Sequence, residues 1–233
     1  MKLSKRILYL SDDAAELQAQ FEGKDLTEAP DELTFGVNTD AMISGRACTL
    51  GYTPKVLGPY FLQNFKEVVQ ESDVANGDFQ IIVGGHAYGT GSSREAAVVA
   101  HRGAGIELVV AQSFQRIFQE NMVYAGMPFT TDYGVLDRLR AGEDVDVSSF
   151  FEELPPFFSQ VAKVGGLLPY ANAWLQGDVA PWYDTSIAAK PMNVVEKIIA
   201  ARAWVGGQPG EGSGAEFGIA AVSPGDQVLC RAG

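Results

Sequence analysis

Cysteine is nearly absent. The 233-residue chain holds only Cys48 and Cys230, far apart and in no paired motif, which excludes a disulfide framework and fits a reducing cytoplasm. Two thiols also fall short of the three or four thiolates that hold an iron–sulfur cluster. Histidine is equally scarce. His86 and His101 stand too far apart for the one-turn spacing of a metal pair, so each reads as structural and no metal is expected in this chain. No run approaches the roughly 20 apolar residues of a membrane span. The apolar segment after Met1–Arg6 is cut by Asp12 and Asp13, too soon for a signal peptide. A soluble, cytoplasmic protein without membrane contact is the expectation. Positive charge is outnumbered: 17 Lys and Arg against 29 Asp and Glu leave a net charge of −12. A nucleic-acid binder carries a basic patch instead, so no nucleic-acid partner is expected. An acidic total does not exclude an anionic substrate, because a few arginines at one place hold a carboxylate regardless.

What is present has the pattern of an α/β protein. Arg6–Leu10 reads as a short strand, followed by an N-cap at Ser11 and a helix carrying Ala14, Leu17 and Phe21 up to Gly23. Residues 25–34 read as an acidic surface loop broken by Pro30, and residues 35–52 as a structured loop rich in small residues. Leu57–Val69, with Leu62, Phe65, Val68 and Val69, predicts a helix with Pro59 in its first turn. Between Phe79 and Thr131 the order is strand (Phe79–Val83), glycine-rich loop, helix (Ser93–His101), strand (Ile106–Ala111), helix (Phe114–Ala125) and strand (from Phe129). That β-α-β-α-β order implies parallel strands joined by right-handed crossovers. Further on, residues 148–164 are mixed, Gly165 and Gly166 break the chain, and the aromatic stretch 167–182 reads as core or interface. Met192–Trp204 predicts an amphipathic helix with Val194, Val195, Ile198 and Ile199 on one side. Gly206–Gly214 reads as flexible, and Pro224-Gly225-Asp226 as a turn before a strand in which the chain stops.

The segment richest in chemistry is Gly84–Glu95, which joins a buried strand to a helix. Glycines let backbone approach a ligand closely, and amides at a helix start favour negative charge. Three familiar phosphate or nucleophile motifs do not match. Arg94 stands where a dinucleotide fingerprint needs glycine, no lysine supplies a Walker loop, and neither serine sits in a Gly-x-Ser-x-Gly frame. From spacing alone, a glycine-rich turn with Ser92 as N-cap and a solvated Arg94 remains an open alternative.

The run Gly89-Thr90-Gly91-Ser92-Ser93-Arg94-Glu95 resembles the Gly-x-Gly-Ser-Ser-Arg-Glu signature of the aconitase and isopropylmalate dehydratase superfamily. Val37–Ile43 is similar to that family's early Asn-x-Thr/Asp-Asp-x-Ile loop. Ala111–Phe118 with Asn121 and Gly126-Met127-Pro128 is similar to its Ser-Phe-x-x-Ile-x-x-x-Asn stretch. Together they cover residues 35–135. The resemblance implies the swivel domain or small subunit: a three-layer β/β/α fold with a mixed, partly parallel sheet, here over residues 1–187 and followed by a helical and linker extension. Met192–Ile199 and Pro224–Val228 are similar to the beginning of the family's large, cluster-bearing part, so residues 188–233 are expected to be a linker and the truncated start of that domain, the front of a fused protein.

By this resemblance the chain serves an iron–sulfur hydro-lyase, which removes water from a hydroxy di- or tricarboxylic acid and adds it back. Ser92 matches the base, Ser93 and Arg94 the residues that touch substrate carboxylate, and Asp40 an acidic residue orienting that network. Arg46 lies in the loop that tunes specificity, where an ordinary surface role is equally open. Gly89, Thr90 and Gly91 form the anion-binding backbone loop. The 4Fe–4S cluster is expected in a cluster-bearing partner or downstream domain, without which the chain is inactive. Two departures stand out. Ala96 replaces a histidine common after Ser-Ser-Arg-Glu, and Arg46–Gly51 reads like none of the usual specificity loops, so no substrate is named. These motivate the alternative, a non-catalytic binding or regulatory module that keeps the fold.

Overall fold

A computed structural model describes residues 1–207 and 214–231. Part of the glycine-rich stretch read as flexible, residues 208–213, lies outside the described residues. The chain divides into two compact units, Met1–Glu152 and Glu153–Gly233.

The first unit is built on four parallel strands in the order β1 (Arg6–Tyr9), β2 (Phe79–Gly84), β3 (Leu108–Ala111) and β4 (Phe129–Thr130). Their register aligns Ile7 with Ile81, Ile81 with Leu108, and Val109 with Phe129. Every residue of β2 and β3 is buried, as expected of parallel strands covered on both faces. On one face Ile7, Tyr9, Ile81, Val83, Leu108 and Val110 pack against Val135, Leu136 and Leu139 of a helix over Gly134–Arg140. Each such aliphatic side chain contributes about 1.5–3 kcal/mol on full burial. The alternate residues Leu8, Ile82 and Val109 are equally buried on the other face.

The edge strand β1 is finished by a side chain rather than a fifth strand. The buried Gln20 belongs to a helix over Ala14–Phe21. It accepts from the Tyr9 amide at 2.8 Å and donates to the Tyr9 carbonyl at 2.8 Å, reproducing a ladder pair. That helix is capped by Asp13, whose carboxylate accepts from the Ala15 amide, and not by Ser11 as the sequence suggested. Ser11 lies two residues too early: its hydroxyl accepts from the Asp13 amide and donates to Glu16.

The helices of the central β-α-β-α-β run are Glu95–Gly103 and Arg116–Ala125, each starting two residues after its sequence estimate. Gly126, left-handed at φ 63°, ends the second. The α/β class, with parallel strands joined by helical crossovers, is as the sequence implied. The four-stranded sheet is parallel throughout, and among the described residues antiparallel pairing is confined to isolated bridges and one small ribbon.

The helix expected over Leu57–Val69 does not form. Short turns at Pro54–Leu57, Gly58–Tyr60 and Phe65–Glu67 replace it, with Leu62, Asn64, Lys66 and Glu67 at positive φ. The backbone finds other partners: Leu62 donates to the Met42 carbonyl and Asn64 to that of Val69. Leu57, Phe61, Leu62, Phe65 and Val69 are still buried, so the apolar spacing reports burial on an irregular path. Glycine makes this path possible at one close approach, where a Cβ on Gly103 would lie 2.0 Å from the Pro54 carbonyl.

The second unit contains helices over Pro156–Lys163, Leu167–Gln176 and Val194–Arg202 and a ribbon of Trp204–Gly206 with Glu216–Phe217. Asn193 and Glu196 form a reciprocal capping box on the third helix. Val194, Val195 and Ile198, expected on an apolar face, are exposed.

Candidate functional site

Strand β2 ends in the glycine-rich loop, and three groups of contacts fix that loop from below and from both sides. From below, Tyr88 is wholly buried. Its hydroxyl lies 2.7 Å from His101 Nε2, while His101 Nδ1 lies 2.7 Å from the Ala97 carbonyl one turn earlier in the same helix. A carbonyl only accepts, so Nδ1 carries the proton and Nε2 receives the Tyr88 hydroxyl. Burial pushes the Tyr88 hydroxyl up. It also lowers His101 to about 4, with the Ala97 carbonyl opposing in part. His101 is thus a neutral structural histidine, as the sequence suggested, and His86 is exposed. Tyr133 donates to the Gly84 carbonyl, and burial raises its own hydroxyl to about 12.

On one side the loop is laced to residues 113–115. Ala87 donates to the Ser113 hydroxyl and Tyr88 to the Ser113 carbonyl, while Gln115 donates back to the Tyr88 carbonyl, all at 2.9 Å. On the other side it is laced to residues 36–39. Gly89 donates to the Val37 carbonyl, Thr39 to that of Thr90, and the Thr90 hydroxyl to that of Gly36, each at 2.8 Å; the Thr39 hydroxyl reaches the Ser92 carbonyl at 2.9 Å. The three motif segments therefore meet at the carboxyl edge of a parallel sheet, where open α/β sheets bind ligands. Gly89 is required there: at φ 85°, a Cβ would lie 2.2 Å from the Phe118 ring.

Arg94 is the N-cap residue of the helix over Glu95–Gly103 and makes no side-chain cap bond. Its guanidinium pairs with Asp40 at 2.5 Å and donates to the Ile43 carbonyl at 3.0 Å. Arg46 is exposed on the turn Gly45–Cys48, and no ion pair holds it among the described residues. Ser92 and Ser93 are exposed, and their hydroxyls have no hydrogen-bond partner among the described residues.

A cleft of about 620 Å³ opens beside the loop, lined by Gly89, Thr90, Gly91 and Ser92 and by Gln115–Phe118 and Glu120. That is within the usual size of a small-molecule site. It takes in the expected backbone loop and Ser92, whereas Ser93, Arg94, Asp40 and Arg46 do not line it. Sequence reasoning gave no role to Arg116 or Thr39, although both lie in motif segments it had singled out.

This chain does not fit a resident iron–sulfur cluster. Cys48 and Cys230 belong to different units, and among the described residues no group of three or more His, Cys, Asp or Glu could hold a metal ion.

The convergence of these three segments defines an α/β protein with a loop-built cleft at the carboxyl edge of its parallel sheet, and comparison with known proteins names the family. Residues 63–131 match the family model described as Aconitase C-terminal domain. The isopropylmalate/citramalate isomerase small subunit of Methanocaldococcus jannaschii is 34% identical over 153 residues, covering 58% of this chain and 86% of that protein. The 3-isopropylmalate dehydratase small subunit of Wolinella succinogenes is 33% identical over 159 residues, covering 59% of this chain and 87% of its own length. A crystal structure of 3-isopropylmalate dehydratase from M. jannaschii aligns with a TM-score of 0.42 and 28% identity, over 59% of this chain and 87% of that one. The chain belongs to the aconitase and isopropylmalate dehydratase family, as a small-subunit-like member.

Proposed function

We propose that this chain is the substrate-holding, base-supplying component of a hydro-lyase acting on a hydroxy di- or tricarboxylic acid. The observation that carries the reading is the position of Ser92, exposed at the end of a backbone loop that opens into a cleft, with its hydroxyl uncommitted. Dehydration next to a carboxylate needs a base for the carbon-bound proton and an acid to help the hydroxide leave. Ser92 takes the proton. A serine hydroxyl is a poor base, so neighbouring amides and cationic side chains must stabilise its alkoxide. Asp40 and the Ile43 carbonyl fix Arg94 two residues away, where it supports the loop and holds a carboxylate jointly with Ser93. Arg46 meets the variable end of the substrate. A 4Fe–4S cluster held by a large partner domain or subunit would supply Lewis-acid help for the leaving hydroxide, so the chain alone should be inactive.

Named relatives that are enzyme subunits favour this reading over a non-catalytic module. Their names make 3-isopropylmalate and citramalate the first substrates to try. We assign residues 188–233 to the linker and beginning of the cluster-bearing domain. The exposed Val194, Val195 and Ile198 support that assignment as apolar surface such a domain would cover. No helix among the described residues is long and apolar enough to cross a membrane, and we place the protein in the cytoplasm with no nucleic-acid or membrane partner. The test is hydratase activity after reconstitution with a cluster-bearing large subunit. Ser92→Ala should lower kcat by roughly 100-fold or more, the usual scale for losing a general base. Turnover within twofold of wild type would refute the assignment of Ser92.

A further inference from the structure

Arg116 is the first residue of the helix over Arg116–Ala125 and lines the same cleft as Ser92. A cation at a helix start opposes the helix dipole. Its ion pair runs from Arg116 to Glu120 at 2.9 Å, the less favourable order for a pair one turn apart. Arg116 is also 88% exposed, so burial of its stem does not explain the placement. Local rules broken without a structural return are the mark of a functional position. Arg94 does not line the cleft, so a carboxylate lying within it needs a further cation.

We propose that Arg116 is a substrate-binding residue that holds the second carboxylate of a hydroxy-dicarboxylate in the cleft it shares with Ser92, with Glu120 as its resting counter-charge. This rests on the hydro-lyase reading and deepens it by assigning the cleft a two-carboxylate ligand. Glu120 lets go of the guanidinium when a carboxylate arrives, so it competes with substrate. The two residues therefore make opposite predictions, which a merely structural pair would not.

The experiment has two parts. In the reconstituted enzyme, Arg116→Gln should raise KM roughly tenfold or more with kcat within threefold, the loss expected for one charge-assisted hydrogen bond. Arg116→Lys should recover part of that loss, and Glu120→Gln should lower KM. In the purified chain alone, malate should shift the NMR signals of the Arg116 side chain and the Ser92 amide, with acetate much weaker, and Arg116→Gln should abolish the malate response. Unchanged KM in Arg116→Gln, a raised KM in Glu120→Gln, equal responses to acetate and malate, or no malate response at Arg116 would each overturn the inference. Activity in the wild-type reconstitution keeps the hydro-lyase reading alive in those cases. No activity there sinks that reading, and the malate titration then decides the Arg116 inference by itself.

Discussion

His101 shows how much one buried side chain contributes to a loop it never touches with its charge. Its neutral ring accepts from Tyr88, and Tyr88 carries the backbone bonds that tie the glycine loop to Ser113 and Gln115. Burial places His101 at about 4 in the folded chain, against an unfolded value near 6.5. Between those values the unfolded chain binds a proton that the folded chain refuses. The histidine's contribution is therefore complete above about pH 6.5 and is lost as pH falls through about 4, a total on the order of 3 kcal/mol. His101→Gln keeps an acceptor for Tyr88 and removes the titration. Its thermal midpoint should fall less than that of the wild type between pH 6.5 and pH 4.5, as read by circular dichroism. Equal slopes for the two proteins would show that His101 is not held neutral.

At the scale of single elements, the strands and their crossovers were legible because apolar runs bounded by glycine leave little choice. The run Phe79–Val83 became β2, and Gly126 ended its helix as written. The path from Leu57 to Val69 was illegible for a definite reason: helical spacing of apolar residues is also produced by an irregular chain that buries Leu57, Phe61, Phe65 and Val69 one after another. The site was legible in part. The motif segments meet as their order suggested, but the spelling Ser-Ser-Arg could not reveal that Arg94 stays out of the cleft or that Arg116 shares it with Ser92. Nor could composition reveal that Gln20 would finish the edge of β1. Gln20→Leu should leave the Tyr9 amide buried without a partner, while the Tyr9 carbonyl keeps the Ser11 amide at 2.9 Å. At about 1–3 kcal/mol for an orphaned buried group, the variant should lose that much in urea denaturation. A loss under 1 kcal/mol would mean that water or backbone movement replaces the ladder pair.

For the whole molecule, everything proposed for binding sits in the first unit. The sheet, both helices of its crossovers, the glycine loop and the cleft lie within residues 1–152. At this length a chain can bury a core large enough to stand alone. The core around Ile81, Val83, Leu108 and Val110 takes its buried members from residues 7–145. The fragment 1–152 should therefore fold by itself, unfold in one cooperative transition and keep the amide positions of Gly84–Arg94 in NMR spectra. It should also keep the malate response while giving no hydratase activity. Residues 188–233, with their exposed Val194, Val195 and Ile198, would then be left for the proposed connection to a cluster-bearing domain rather than for the cleft. A fragment that stays unfolded, or one whose loop signals scatter, would place part of the loop's support in the second unit and dissolve the division of labour between carboxylate binding and domain linkage.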